Sequence, residues 1–134
     1  MNKGEAMLTD TQREFLQKPL IARMSTIDEN GYPHTVPVWF MLDGDDIVVY
    51  GVSTTRKISH MRANPKGCVT IGGDASDGAG YLFKGDWVIE PDNDWSRKIT
   101  YHYEGEEHGA ELLKEWGDLG YAVMRLKVRK VIKV

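Results

Sequence analysis

Ile47-Val48-Val49-Tyr50-Gly51-Val52-Ser53-Thr54-Thr55-Arg56-Lys57 is the stretch on which the reading of this chain turns. The run from Ile47 to Val52 is rich in β-branched residues and bounded by Gly44 and Ser53, which predicts a strand. Ile58 and Met61 then recur at helical spacing until Asn64-Pro65 stops them. The unit is strand, hydroxyl-rich turn, helix. Arg56 and Lys57 fall in the first helical turn, where the helix dipole is already positive and carboxylates are the usual occupants. Two readings follow. Either both cations simply reach solvent, at a cost of roughly 0.3–1 kcal/mol, or the free backbone N–H groups, the hydroxyls and the two cations together form a phosphate cradle.

Upstream, Thr9-Asp10-Thr11-Gln12 fits a capping box, followed by a short amphipathic helix with Phe15 and Leu16 that ends at Lys18-Pro19. Leu20 to Ile27 alternates as a first strand, and Asp28-Glu29-Asn30-Gly31 turns it into a hairpin. The second arm, Tyr32 to Leu42, holds Pro33 and Pro37, which cannot donate ladder hydrogen bonds and belong at a strand start, an edge or a bulge. Pro37 marks an irregular strand. The backbone around Val36, Val38 and Trp39 is then free to bond something other than a strand, or is merely an edge bulge. Asp43-Gly44-Asp45-Asp46 returns the chain to the opening stretch.

Downstream, Gly67 to Gly72 reads as a strand, Gly72 to Gly80 as a glycine-rich exposed loop, and Tyr81 to Glu90 as a long strand interrupted at Gly85 by a bulge or corner. A helical stretch opens at Pro91-Asp92-Asn93-Asp94, and Glu106 to Trp116 forms a second helix broken by Gly117. Tyr121 to Val134 is the last strand, with Ala122, Met124, Leu126 and Val128 on one apolar face. Six antiparallel strands with late helices predict a mainly β chain, a closed or nearly closed barrel, because closure removes exposed edges.

At 134 residues the chain, 1–134, reads as one domain. No apolar run approaches a membrane span, and Met1 to Glu5 lacks the apolar core of a signal peptide, so a cytoplasmic protein is expected. A net charge of −3 with scattered cations gives no nucleic-acid footprint. Cys68 is alone and reads as a core thiol, and His34, His60, His102 and His108 match no metal-ligand spacing. No nucleophile triad, HExxH or Walker loop is present. Trp39, beside the irregular strand, is the indole best placed to stack on a ring.

The order of these motifs resembles the FMN-binding split-barrel family, the group of pyridoxamine 5'-phosphate oxidase and of reductases using the deazaflavin coenzyme F-420. The residues that carry the resemblance are Ile21 to Thr26, Asp28 to His34, Val36-Pro37-Val38-Trp39-Phe40, Thr54-Thr55-Arg56-Lys57 with Asn64-Pro65, and Tyr103-Glu104-Gly105. It spans roughly residues 8 to 134. The resemblance implies a six-stranded antiparallel split β-barrel that forms a homodimer with cofactor grooves at the interface. Arg56 and Lys57 would bind the cofactor phosphate, Thr54 and Thr55 would supply hydroxyls, and Val36, Pro37, Val38 and Trp39, with Val52 and Ser53, would flank the ring. Trp116 or Tyr101 would close the groove from the second subunit.

True pyridoxamine phosphate oxidases carry a C-terminal substrate-binding extension not seen in this sequence, so the expected activity is flavin-dependent hydride or electron transfer on another small molecule. FMN needs one phosphate site. The deazaflavin alternative, with its polyglutamate tail, would need a basic channel, for which Arg125, Lys127, Arg129 and Lys130 are the available residues. A non-catalytic flavin- or haem-binding module is a third reading.

Overall fold

The computed structural model describes residues 7–134. In chain order the elements are α1 (Asp10–Leu16), β1 (Ala22–Ile27), β2 (Pro33–Val38), β3 (Met41–Asp43), β4 (Asp46–Val52), α2 (Arg56–Ala63), β5 (Lys66–Gly72), β6 (Gly80–Pro91), α3 (Trp95–Glu104), α4 (Glu106–Trp116) and β7 (Tyr121–Lys133). All strand pairs are antiparallel, in the order β2-β1-β5-β6-β7-β4-β3. The sheet curls but does not close, so this is a split barrel. Met1 to Glu5 lies outside the described residues.

Alternation puts Ala22 and Met24, Val69 and Ile71, Phe83 and Trp87, Ile47 and Val49, and Met124 and Leu126 inside, all nearly inaccessible. Each of the larger of these side chains contributes roughly 1.5–3 kcal/mol of burial, which pins the register of β1, β4, β5, β6 and β7. One end of the barrel is plugged by Leu8, Phe15 and Leu16 around α1. Thr9 and Gln12 cap α1 reciprocally as the sequence predicts. The Asp45 carboxylate then accepts from the Met7 and Leu8 N–H groups and from Arg13, tying α1 to the β3–β4 turn.

Four particulars differ from the sequence reading. Among the described residues there are seven strands rather than six, because the arm Tyr32 to Leu42 breaks at Trp39-Phe40 and β3 pairs with β4 as a separate short strand. Pro37 does not distort its strand: it sits opposite Arg23 in an unbroken register, tolerated because β2 is a sheet edge. Strand β1 begins at Ala22 rather than Leu20, while α1 ends at Leu16 with Gln17 as its cap, directly before Lys18-Pro19 as the sequence predicts. Finally, β7 is buried on both faces from Ala122 to Leu126, since α3 lays Ile99 against Val48 and Val123 on the outside of the barrel. Gly85 is a true bulge. The β6–β7 register shifts there, and a Cβ on Gly85 would stand 2.1 Å from the Lys127 carbonyl oxygen.

Candidate functional site: a groove in the split of the barrel

The two edges of the sheet, β2 and β3, are joined by Trp39-Phe40 and leave a gap between them. β3 pairs with β4 only as far as Val48, so from Val49 to Val52 that side of β4 has no strand beside it. The outer side of β2 has none either. Two lips of unpaired backbone therefore face the split.

Between them lies a groove of about 480 Å³ lined by Ile21, Pro37, Val38, Trp39, Tyr50 and Trp116. Its wall at Trp39 is stiff. The Trp39 indole stacks on Tyr103 of α3, 4.9 Å between ring centres and 9° from parallel. The Tyr103 hydroxyl accepts from the Phe40 N–H at 3.0 Å and donates to the Leu20 carbonyl at 2.6 Å. Burial pushes that phenol up to about 12, the bond from Phe40 only partly opposing it, so it stays protonated and in place. On the opposite lip the Tyr50 hydroxyl shares a 2.6 Å hydrogen bond with Thr100, and burial again raises its pKa.

Continuing along the chain from Tyr50, the backbone reaches the start of α2. Ser53 donates its N–H to the Gly120 carbonyl, and Thr55 is the N-cap of α2 in extended conformation. A helix start normally recruits the cap hydroxyl to a free N–H. Here it does not: Thr55 makes no side-chain cap bond, and its Oγ1 is buried without a partner among the described residues. No acidic residue occupies the first turn. Lys57 is half-buried, and its ammonium lies 3.7 Å from where a Cβ on Gly51 would be, over the end of β4. Burial lowers its pKa and nothing offsets the effect. Among the described residues neither Lys57 nor the exposed Arg56 has an ion-pair partner.

Of the residues singled out in the sequence, Pro37, Val38 and Trp39 thus line the groove. Val36 packs on the core, Val52 ends β4, Ser53 and Thr54 form the turn that follows, and Thr55, Arg56 and Lys57 form the start of α2. Ile21 and Tyr50 were missed as lining residues. The signal for Tyr50 was available, since strand alternation sends it to the opposite face from Val49. Trp116 reaches the groove within its own chain, whereas Tyr101 does not line it and lies against Gly109 of α4. Three members of the proposed basic channel are already engaged: Arg125 with Glu90, Asp43 and Asp46, Lys127 with Asp46, and Arg129 with Asp86. His60 is buried, with Nδ1 2.9 Å from the Thr26 hydroxyl, and stacks edge-on with His34.

Fold and groove together define a split barrel of the flavin-binding oxidoreductase type. The chain matches the family model described as pyridoxamine 5'-phosphate oxidase over residues 8–134, and it belongs to that family. No curated protein matches it in sequence. Among solved structures it is similar to a putative pyridoxamine 5'-phosphate oxidase from Listeria innocua, with a TM-score of 0.72, 19% identity and 93% and 96% of the two chains covered. It is similar also to an F-420 reductase (TM-score 0.75, 16% identity, 93% and 98% covered). A conserved hypothetical protein from Mycobacterium tuberculosis gives a TM-score of 0.75 at 15% identity, with 99% and 88% covered. At these identities the likeness is one of fold. No helix among the described residues is long and apolar enough to cross a membrane.

Proposed function

We propose that this protein is an FMN-dependent oxidoreductase, working as a homodimer on a small molecule. The observation that carries the reading is the start of α2, where a half-buried ammonium has no counter-charge and a buried hydroxyl has no partner. Both deficits are met by one anion carrying several acceptor oxygens, and a phosphate monoester at a helix N-terminus is such an anion. In this reading Arg56 and Lys57 neutralise the phosphate, Ser53, Thr54 and Thr55 bond its oxygens, and the backbone of Val36 to Trp39 and of Val52 borders the ring. Bound there, the flavin supplies the hydride or electron transfer. The chain's own part is to hold it, to keep water from the groove with Trp39, Trp116 and Ile21, and to fix the Trp39 wall through Tyr103.

The deazaflavin alternative is disfavoured by the state of the last strand. Cations held by Asp43, Asp46, Glu90 and Asp86 are not free to line a channel for a polyglutamate tail. A non-catalytic flavin carrier would bind FMN as well but would never be reduced by a nicotinamide donor or reduced deazaflavin. The test is a titration of the protein with FMN, followed by flavin fluorescence. Arg56→Ala combined with Lys57→Ala is expected to weaken binding by about 100-fold or more, since two charge-assisted contacts of roughly 1.5–3 kcal/mol are lost. Unchanged affinity would remove the phosphate cradle.

A further inference from the structure

On the outside of the barrel, away from the split, the β1–β5 pairing ends where Ser25 stands opposite Cys68, although β5 begins two residues earlier at Lys66. The indole N–H of Trp87 takes the Ser25 carbonyl at 3.1 Å, and a Cβ on Gly67 would stand 2.0 Å from that nitrogen. One strand further on, the bulge sets Lys130 opposite Lys84 and Val128 opposite Gly85. Arg129 is thus the extra residue, and it turns to the Asp86 carboxylate. Separating strands and bulge together leave a hollow of about 670 Å³ over β1, β5 and β6, within the size range of small-molecule sites.

We propose that this hollow is a binding site, separate from the groove, for a small organic polyphosphate of the nucleoside diphosphate kind. Its rim carries Lys66, Lys84 and Arg129 against one carboxylate, Asp86, which Arg129 already engages, in a chain whose net charge is −3. Among the described residues Lys66 and Lys84 have no ion-pair partner. Lys130, exposed and equally unpaired, stands directly opposite Lys84, an arrangement of like charges that costs stability until an anion comes between them. Exposed ammonium groups are compact point charges suited to phosphate oxygens. Ile27, Pro33 and the Cys68 side chain supply an apolar surface on which a flat base can lie. A second copy of the chain is the poorer occupant, because a two-fold seam here sets these cations against themselves.

ADP and adenosine differ only in the diphosphate. Both are titrated calorimetrically into the FMN-saturated protein and into the Arg56→Ala, Lys57→Ala variant, which lacks the other anion site. ADP is expected to bind each at least about 10-fold tighter than adenosine, and Lys66→Ala with Lys84→Ala to weaken ADP by about 10-fold or more while FMN affinity holds. Both lysines are exposed, so their truncation leaves the core untouched. Cys68, the chain's one thiol, locates the ligand: its alkylation by uncharged iodoacetamide should slow with ADP and not with adenosine. Equal binding of the two probes, or of neither, would overturn the proposal. So would ADP binding that survives loss of both lysines, or that disappears with Arg56 and Lys57, because the diphosphate then sits at the start of α2. A double-lysine variant that changes self-association in sedimentation and keeps its ADP affinity would make this face a seam between copies. Should FMN fail to bind while ADP still protects Cys68, the flavin reading falls and this site stands.

Discussion

Arg125 and Lys57 are both cations withdrawn from water, and they are treated in opposite ways. Arg125 is 9% exposed on β7, with Nε 2.8 Å from Glu90 and Nη1 2.9 Å from Asp43 and 3.3 Å from Asp46. Burial alone would depress its pKa, but the hydrogen bonds and charges of these carboxylates outweigh it and hold the guanidinium above its ordinary range. Lys57, half-buried at the start of α2, has its pKa lowered by burial with no carboxylate to oppose it. A cation whose counter-charges come from the chain braces the fold. One whose counter-charge must come from elsewhere marks a place where something else binds.

That contrast is most exposed to test at Arg125. Arg125→Met leaves Asp43, Asp46 and Glu90 facing one another without their shared partner, and should lower unfolding stability by about 3 kcal/mol, the lower end for buried pairs because the carboxylates remain partly solvated. Urea denaturation reads this, and FMN affinity should hold in the same variant. An Arg125→Met protein as stable as the parent would break the comparison from its structural side.

Lys57→Met should give the opposite pattern: FMN binding weaker by about 10- to 100-fold, from a lost contact of roughly 1.5–3 kcal/mol, with the urea midpoint unchanged or higher. The pH dependence sharpens it. Because the folded pKa of Lys57 lies below the ordinary 10.5, the unfolded chain binds more protons between those two values. Without ligand, the parent should therefore gain stability relative to Lys57→Met as pH rises through that window and show no change in the difference below it. Bound phosphate restores the charged form and should move the window upward. A difference that falls with rising pH would mean that Lys57 already has an anionic partner in the free protein.

How far the sequence revealed this contrast depended on whether the deciding contact was local. The opening strand, the turn and α2 followed from β-branched spacing and Asn64-Pro65, and the capping box and the Gly85 bulge were equally local signals. The engagement of Arg125 was not legible. Its partners are 35 to 82 positions away along the chain, on β3, β4 and β6, and only the sheet order brings them together. The same holds for the groove. Tyr50 and Trp116 meet Val38 because the barrel splits between β2 and β4, which no periodicity announces. Pro37 misled for a related reason, since an edge strand accepts a proline without bending.

The smallest expected effect is at Thr55, and it separates the two kinds of site most cleanly. Thr55 Oγ1 is buried with no partner, so in the free protein the hydroxyl is a cost and not a contribution. Thr55→Val keeps the shape and the β-branched side chain while removing that oxygen. Folding stability should stay level or rise by up to about 1 kcal/mol, because an unsatisfied polar atom is replaced by a methyl group. FMN affinity should fall by only about 2- to 10-fold, the net worth of one hydrogen bond to a charged acceptor partly shared by neighbouring donors. Both changes are read from one preparation, by urea denaturation and fluorescence titration. If Thr55→Val instead destabilised the fold and left FMN binding untouched, the hydroxyl would have a partner in solution within the chain itself, and the start of α2 would belong with Arg125 as a satisfied part of the structure.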